Sequence, residues 1–279
     1  MGWSVKTTAP EVIGSTPWWC TTAGQHLLTW ERDWFDAGVA DVFGFHALQM
    51  GLPAVDALQT NRMPHRWLAC TAPHLAEDAG RGVPMQVRAV HLQCEFDALP
   101  FASQSLDLVV MPHALEMARD PHLTLREVER VLVPEGRLMI TAFNPASLWA
   151  LGQRQRRGAG MDGAAYRLGP WPQRAQMIGF RRLRDWLRLL SFEVEAARFG
   201  CFGPRVDTLA WQQRWSFIEP IGQRWWPVLG AVYGLTAVKR VRGMRLVGLA
   251  KRQARYASAP RPALVSTHQE PSRRGSRRS

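Results

Sequence analysis

The chain has 279 residues, 46% of them hydrophobic, so it is long enough to bury a full core as one large domain or two small ones. Its formal net charge is +12, and the basic character is concentrated at the carboxyl end, where residues 251–279 contain a single acidic residue, Glu270. No run reaches the roughly 18 consecutive apolar residues of a membrane span, and the first residues lack the apolar core of a secretion signal. These features exclude a membrane-spanning protein, and we expect a cytoplasmic one.

The cysteines are spaced too widely to form a recognisable site. None belongs to a C-x-x-C pair, so the sequence predicts neither a zinc site nor a disulfide framework. We therefore expect no metal and a reducing compartment. The four are Cys20, Cys70, Cys94 and Cys201.

Composition divides the chain into three parts. Residues 1–20 form an amino-terminal segment, and residues 21–252 form the main domain. Residues 253–279 are rich in Ser, Pro and Arg with few large apolar side chains, so we predict a disordered basic tail. Such a tail is either simply solvated, or it contacts nucleic acid or anionic lipid electrostatically.

The first half of the main domain begins with a helix and continues with short strands. Apolar side chains at helical spacing predict a helix within residues 21–43. Short apolar or alternating runs predict strands at residues 44–50, 65–71 and 85–93. Residues 54–63, between the first two strands, are numerous enough for a helix.

The centre of the chain has the clearest signals. The run "LDLVVM" at residues 106–111 is typical of a buried parallel strand. A helix follows, with Asp120 as its cap and Pro121 at its first position, and it stops near Pro134. Residues 137–143 return as a strand. Strand, helix and strand at this spacing form a right-handed βαβ crossover.

Alternating elements run from about residue 40 to residue 250. A basic, glycine-rich stretch at 151–173 is interpreted as a mobile loop or lid, and residues 179–192 as an amphipathic helix. A strand at 193–202, a helical stretch at 206–227 and a last strand at 233–241 follow. This alternation predicts an α/β fold with a doubly wound sheet.

The thirteen tryptophans fall mainly into an early and a late cluster. Aromatic-rich helices packed against the core would bury them. For "RWWPVLGAVYGL" at residues 224–235 there is a second interpretation, in which the indoles lie at the headgroup level of a membrane surface. Peripheral membrane contact thus remains an alternative.

Residues 95–145 contain a set of motifs with a family likeness. The segments "EFDALPF", "SLDLVVMPHALE" and "LREVERVLVPEG" resemble the middle of the class I S-adenosylmethionine-dependent methyltransferases, particularly the group of ubiquinone and menaquinone biosynthesis enzymes. The resemblance implies a seven-stranded Rossmann-like sheet with an amino-terminal helix and a helical insertion before the last strand. It also implies S-adenosylmethionine as the cofactor.

The resemblance assigns cofactor contacts to four residues of this stretch. Glu95 takes the position of the acidic residue that accepts a hydrogen bond from the adenine amino group. The backbone N–H of Phe96 would bind the adenine ring. Met111 and Pro112, at the carboxyl end of the fourth strand, would lie under the cofactor, where an open α/β sheet binds its ligands.

Two residues are candidates for catalysis. His113 would lie at the mouth of the cleft nearest the methyl group, where its ordinary pKa of about 6.5 suits a general base. The alternative for His113 is a polar cap on the strand end. Asn144, which follows the fifth strand, could orient a substrate through its amide.

The glycine-rich motif expected after the first strand is degenerate. Gly51 keeps the first glycine, but Gln49 replaces the acidic residue and Pro53 the second glycine. Thr71 is the polar group nearest the end of the second strand, where the family has an acidic residue. Either an altered set that includes Gln49, Gly51 and Thr71 holds the cofactor, or the fold is kept and the cofactor is not.

Three functions remain open at this point. The first is a methyltransferase acting on an unidentified small-molecule or lipid-like acceptor. The second is a cofactor-free pseudo-methyltransferase that serves as a binding module. The third is an RNA-modifying methyltransferase, suggested by "RQRR" at residues 154–157 and the basic tail. Nucleic acid is not favoured, because the basic loop lacks interleaved aromatic residues for base stacking.

Overall fold

The structure is a computed structural model that describes residues 21–71, 91–151, 177–203 and 218–240. The chain divides into two units, Met1–Val241 and Arg242–Ser279, and all described residues belong to the first. The predicted amino-terminal segment, most of the predicted lid and the basic tail lie outside the described residues.

Seven strands form one sheet in the order β3-β2-β1-β4-β5-β7-β6. Neighbouring strands from β3 to β5 are parallel, whereas β7 is antiparallel to both β5 and β6. The predicted α/β sheet is confirmed. The strands are β1 (His46–Met50), β2 (His65–Cys70), β3 (Leu92–Gln93), β4 (Leu106–Pro112), β5 (Leu132–Phe143), β6 (Phe192–Gly200) and β7 (Val232–Lys239).

Two helices begin at residues whose side chains cap them. The Thr21 side chain accepts a hydrogen bond from the backbone of Gly24, and the Asp120 carboxylate accepts from His122 and Leu123 beside a proline at the first helical position. Among the described residues the helices are α1 (Thr22–Val39), α2 (Ala114–Met117), α3 (Pro121–Val131), α4 (Phe180–Leu189) and α5 (Ile218–Trp225), and a 3-10 turn follows at Pro227–Leu229.

Hydrophobic clusters cover both faces of the sheet. Leu27, Leu28 and Phe35 of α1 pack on one face, and helices α3 and α4 pack on the other. The indoles of Trp30 and Trp34 are stacked, with ring centroids 6.2 Å apart. They lie in α1 against the sheet, so the packing interpretation holds for this early tryptophan pair.

Two predicted elements differ from the structure. Residues 54–63 form turns rather than a helix, because side-chain amides take the place of helical hydrogen bonds there. Gln49 binds three backbone groups of the loop, and Asn61 donates to two carbonyls at and just after the end of α1. Helix α3 ends at Val131, and β5 starts at once with Leu132. Strand β5 therefore contains Pro134, near which the sequence predicted the end of the helix.

Candidate functional site

The carboxyl ends of β1 to β4 meet at one edge of the sheet. Chain order reverses between β1 and β4, since β2 and β3 continue on one side and β5 on the other. An open α/β sheet binds its ligands in the crevice at such a switch point. We therefore built the candidate site from the residues that follow these four strands.

Gly51 lies directly at this point and has a backbone that favours glycine. Its φ is +105°, and an added Cβ would lie 2.3 Å from the carbonyl oxygen of Pro112. The next residue, Leu52, donates its N–H to the same carbonyl at 2.9 Å. A hydrogen bond thus joins the ends of β1 and β4, and the first glycine of the expected motif is structurally required.

Gln49 is buried and folds the loop after β1. Its Nε2 donates to the carbonyls of Val55 at 2.5 Å and Leu52 at 3.3 Å, and its Oε1 accepts from the N–H of Ala57 at 3.0 Å. In the altered cofactor set considered from the sequence, this oxygen would take the place of the missing carboxylate. In the structure this oxygen accepts a hydrogen bond from Ala57, so the Gln49 side chain holds the loop after β1 in its conformation.

Apolar side chains of the same loop pack where the family has glycines. They join the cluster formed by α1 and are buried, including the residues on either side of Pro53, which takes the second glycine position. Burial of this set stabilises a loop that lacks helical structure. The set comprises Leu52, Ala54, Val55, Ala57 and Leu58.

The end of β2 is neutral and partly buried. Burial, reinforced by the nearby Cys94, raises the pKa of the Cys70 thiol to about 11, and this thiol donates a weak hydrogen bond to the carbonyl of Gly51 at 3.7 Å. Thr71 follows directly and is half-buried. Glu77 and Asp78, the nearest downstream acids, lie outside the described residues.

Glu95 follows β3 and is exposed at the predicted adenine position, whereas the side chain of Phe96 next to it is buried. The segment after them is fixed by an ion pair in α3. Arg130 donates to the carbonyls of Leu99 and Phe101, and Glu127, 2.8 Å from Arg130, accepts from the N–H of Leu99. The backbone carbonyl of Glu95 itself accepts a hydrogen bond from the N–H of Ala98 at 3.3 Å.

The end of β4 is a buried platform. Met111 is fully buried in the core, and Pro112 is buried with its carbonyl bound to Leu52. Both residues lie at the strand end, as the sequence predicted, and their contribution to cofactor binding stays a prediction.

His113 lies between two carboxylates in the interior. Its Nε2 is 2.8 Å from Glu31 Oε1, and its Nδ1 is 3.3 Å from Glu116 Oε1. Its backbone is left-handed, with φ 53°, and its ring is 4.2 Å from that of Phe143 between centroids. All three members of this Glu31–His113–Glu116 triad have fully buried side chains.

The triad changes the chemistry expected of His113. Burial alone would lower the pKa of the imidazole, but the charges of Glu31 and Glu116 and the hydrogen bonds to them outweigh it and raise the pKa to about 10. At neutral pH the ring is therefore protonated and is not a general base. This placement differs from the predicted position at the cleft mouth, because α1 supplies a carboxylate that draws the ring inward.

Asn144 is also occupied by the protein itself. Its Nδ2 donates to the carbonyls of Val228 at 2.6 Å and Gly230 at 2.9 Å, and its Oδ1 accepts from the N–H of Ala146 at 3.0 Å. The side chain is buried and ties the end of β5 to the segment that precedes β7. Its predicted role in orienting a substrate remains untested.

Sequence reasoning missed Glu31 as a site residue. A signal was present, because Glu31 follows Leu27 by four residues and precedes Phe35 by four, which puts a carboxylate on the apolar face of α1. Charged residues are almost never fully buried unless they are paired.

No group of three or more His, Cys, Asp or Glu residues suited to a metal ion occurs in the described parts of the chain. Among the same residues, no helix combines the length and the apolar character needed to cross a membrane.

Comparisons with known proteins bear on the family of the chain. A family model described as a methyltransferase domain matches residues 60–140. The uncharacterized protein YafS of Escherichia coli is 32% identical over 195 residues, which cover 68% of this chain and 69% of YafS. The ubiquinone/menaquinone biosynthesis C-methyltransferase UbiE of Syntrophotalea carbinolica is 31% identical over 140 residues, covering 43% of this chain and 58% of that enzyme.

Among solved structures, one similar fold is that of a methyltransferase of Thermotoga maritima, described as a possible histamine N-methyltransferase. The TM-score is 0.50 at 17% identity, with 77% of this chain and 94% of that chain covered. A seven-stranded sheet with this strand order defines a Rossmann-like methyltransferase fold. The chain belongs to the class I S-adenosylmethionine-dependent methyltransferase family.

Proposed function

We propose that the protein is an S-adenosylmethionine-dependent methyltransferase acting on a small-molecule or lipid-like acceptor. The observation that carries the proposal is the exposed carboxylate of Glu95, which follows β3 at the carboxyl edge of the sheet. A carboxylate in that position accepts a hydrogen bond from an exocyclic adenine amine. The backbone N–H of Phe96 completes the adenine contact.

The methionine end of the cofactor requires a different arrangement from the usual one. Gly51 lets the backbone come close to Pro112 and Ala114, and this turn lies beside His113. The Glu31–His113–Glu116 triad places two carboxyl groups around one imidazole there. Glu31 Oε2 and Glu116 Oε2 have no hydrogen-bond partner among the described residues.

These two buried carboxyl groups support cation binding at the switch point. The cofactor carries an ammonium and a sulfonium, and a charge of opposite sign within a low-dielectric region stabilises them. We propose that the triad compensates electrostatically for the acidic residue that Gln49 replaces. Met111 and Pro112 form the floor below, and Thr71 provides a hydroxyl at the end of β2.

Bound S-adenosylmethionine would supply an activated methyl group for an in-line displacement. Alignment and exclusion of water account for much of the acceleration of such a reaction, so a dedicated base is not required. The absence of a neutral imidazole at His113 is therefore compatible with transfer. The match to UbiE favours an acceptor of small-molecule or lipid-like character.

Thermal unfolding with S-adenosylmethionine and with S-adenosylhomocysteine tests the proposal. At about 100 times the dissociation constant, a ligand that binds only the folded state adds about 2.7 kcal/mol to the free energy of unfolding. We expect an upward shift of the melting temperature with both ligands and none with methionine alone. Unchanged melting at millimolar concentrations would contradict cofactor binding.

The pseudo-methyltransferase is the second candidate, and one observation favours it. The loop after β1 engages Gln49 fully and fills the glycine positions with buried apolar side chains. A chain of this kind would keep the fold without the cofactor. The same melting experiment separates the two candidates, since only the enzyme responds to both sulfur nucleosides.

A further inference from the structure

The exposed apolar side chains of the described residues are concentrated in few places, and one group combines tryptophan with a positive charge. In α5 and the turn after it, Trp225 is 70% and Trp226 61% exposed. We call this group the tryptophan patch; it consists of Ile221, Arg224, Trp225, Trp226 and Val228, all exposed. Large exposed apolar groups in a folded protein indicate an interaction surface.

The patch is not balanced by exposed negative charge on its own segment. Glu219 is the acidic residue of α5, and its two carboxylate oxygens accept from the N–H groups of Cys201 at 2.7 Å and Phe202 at 3.0 Å. The carboxylate therefore faces the end of β6. Arg224 remains exposed beside the indoles, and the whole chain carries a formal charge of +12.

We propose that the tryptophan patch docks the protein on an anionic membrane surface. Indole rings have an apolar body and a polar N–H, and they are stable at the headgroup level of a bilayer. A neighbouring guanidinium and a positive net charge add attraction to anionic lipids. The strand that follows, Val232–Lys239, is buried, so the docking segment is shorter than residues 224–235.

The patch also lies close to the candidate site. Asn144 at the end of β5 donates to the carbonyls of Val228 and Gly230, which anchors the patch to the carboxyl edge of the sheet. Leu148 and Leu151, a few residues further along the chain, are exposed as well. Docking would bring that edge of the sheet to the lipid. We therefore infer that the methyl acceptor enters from the membrane, an inference that rests on the proposed function.

Cosedimentation with vesicles tests the docking step. The probes are vesicles of phosphatidylcholine alone and vesicles containing about one third phosphatidylglycerol. We expect the full chain to sediment with the anionic vesicles, less so at high salt. Replacing both indoles, Trp225→Ser with Trp226→Ser, should weaken binding at least about tenfold, and Arg224→Glu should weaken it on anionic vesicles only.

A matched control is available on another exposed aromatic pair. Phe43 and Phe45, just before β1, are 78% and 68% exposed. The variant Phe43→Ser with Phe45→Ser should bind vesicles like the unmodified protein. Equal sedimentation of the tryptophan variant and the unmodified protein would overturn the proposal. It would also be overturned if the unmodified protein self-associates without binding vesicles and the tryptophan variant no longer self-associates.

Binding of S-adenosylhomocysteine to the tryptophan variant separates this proposal from the proposed function. We expect its affinity to equal that of the unmodified protein, which also shows that the variant is folded. Loss of vesicle binding with intact nucleoside binding supports docking by the patch. If the unmodified protein binds vesicles but not S-adenosylhomocysteine, membrane docking is supported. That result would contradict the inference that an acceptor enters a methyl-transfer site from the membrane.

Discussion

Replacing His113 with glutamine should lower the free energy of unfolding by about 3–5 kcal/mol at pH 7, the cost of removing one partner from a buried ion pair. The imidazolium lies between Glu31 and Glu116, whose side chains are fully buried. Glutamine has a similar reach but no charge, so it leaves two carboxylates uncompensated. Chemical denaturation of both proteins measures the difference.

The effect should depend on pH in a defined direction. The pKa of His113 is raised from 6.5 to about 10 in the folded protein. The stability that this proton contributes is therefore fully present below the unfolded pKa of about 6.5 and is lost as pH rises through the folded pKa. The difference in free energy of unfolding between the wild type and His113→Gln should decrease steadily from neutral pH towards pH 10.

His122 provides the control for this experiment. It is exposed at the start of α3, and His122→Gln should change the free energy of unfolding by less than about 1 kcal/mol at any of these pH values. If the difference in free energy of unfolding between the wild type and His113→Gln stays constant from neutral to alkaline pH, the His113 ring is not the protonated member of the triad.

Gln49→Glu, which restores the acidic residue of the family motif, should destabilise the protein by about 3 kcal/mol or more. The Nε2 of Gln49 donates to the carbonyls of Leu52 and Val55, and a carboxylate would turn an acceptor towards them. Each buried acceptor that loses its donor costs about 1–3 kcal/mol, and burying the charge costs more. The substitution should therefore impair the loop rather than improve cofactor binding.

Gln93→Glu is the same chemical change at an exposed position of β3. It should leave stability within about 0.5 kcal/mol of the wild type. The melting temperature and the affinity for S-adenosylhomocysteine of both variants give the comparison. A stable Gln49→Glu protein that binds the nucleoside more tightly would show that position 49 contacts the cofactor directly.

Much of the fold was predictable because local signals agree with one another. Asp120 and Pro121 fixed the start of α3, and the β-branched run before it predicted β4. The loop after β1 was not predictable in the same way, because its length and apolar content suit a helix equally well. Only the burial of the Gln49 amide shows why the turns are preferred.

The position of three candidate residues along the sheet was predictable from local motifs. Glu95, Met111 and Pro112 lie at strand ends, as their motifs indicated. His113 was different, because its environment comes from Glu31, a residue 82 positions earlier in the numbering and on another element. The pKa of a buried group depends on such long-range neighbours, and no local pattern reports them.

Titration calorimetry with S-adenosylhomocysteine on Glu95→Ala, beside Asp97→Ala from the same turn, tests the central claim most directly. Loss of a charge-assisted hydrogen bond costs about 1.5–3 kcal/mol, so Glu95→Ala should weaken binding by about tenfold to a hundredfold. Asp97→Ala should retain the affinity of the wild type. Equal affinity of the wild type and Glu95→Ala would contradict the placement of the adenine at the end of β3.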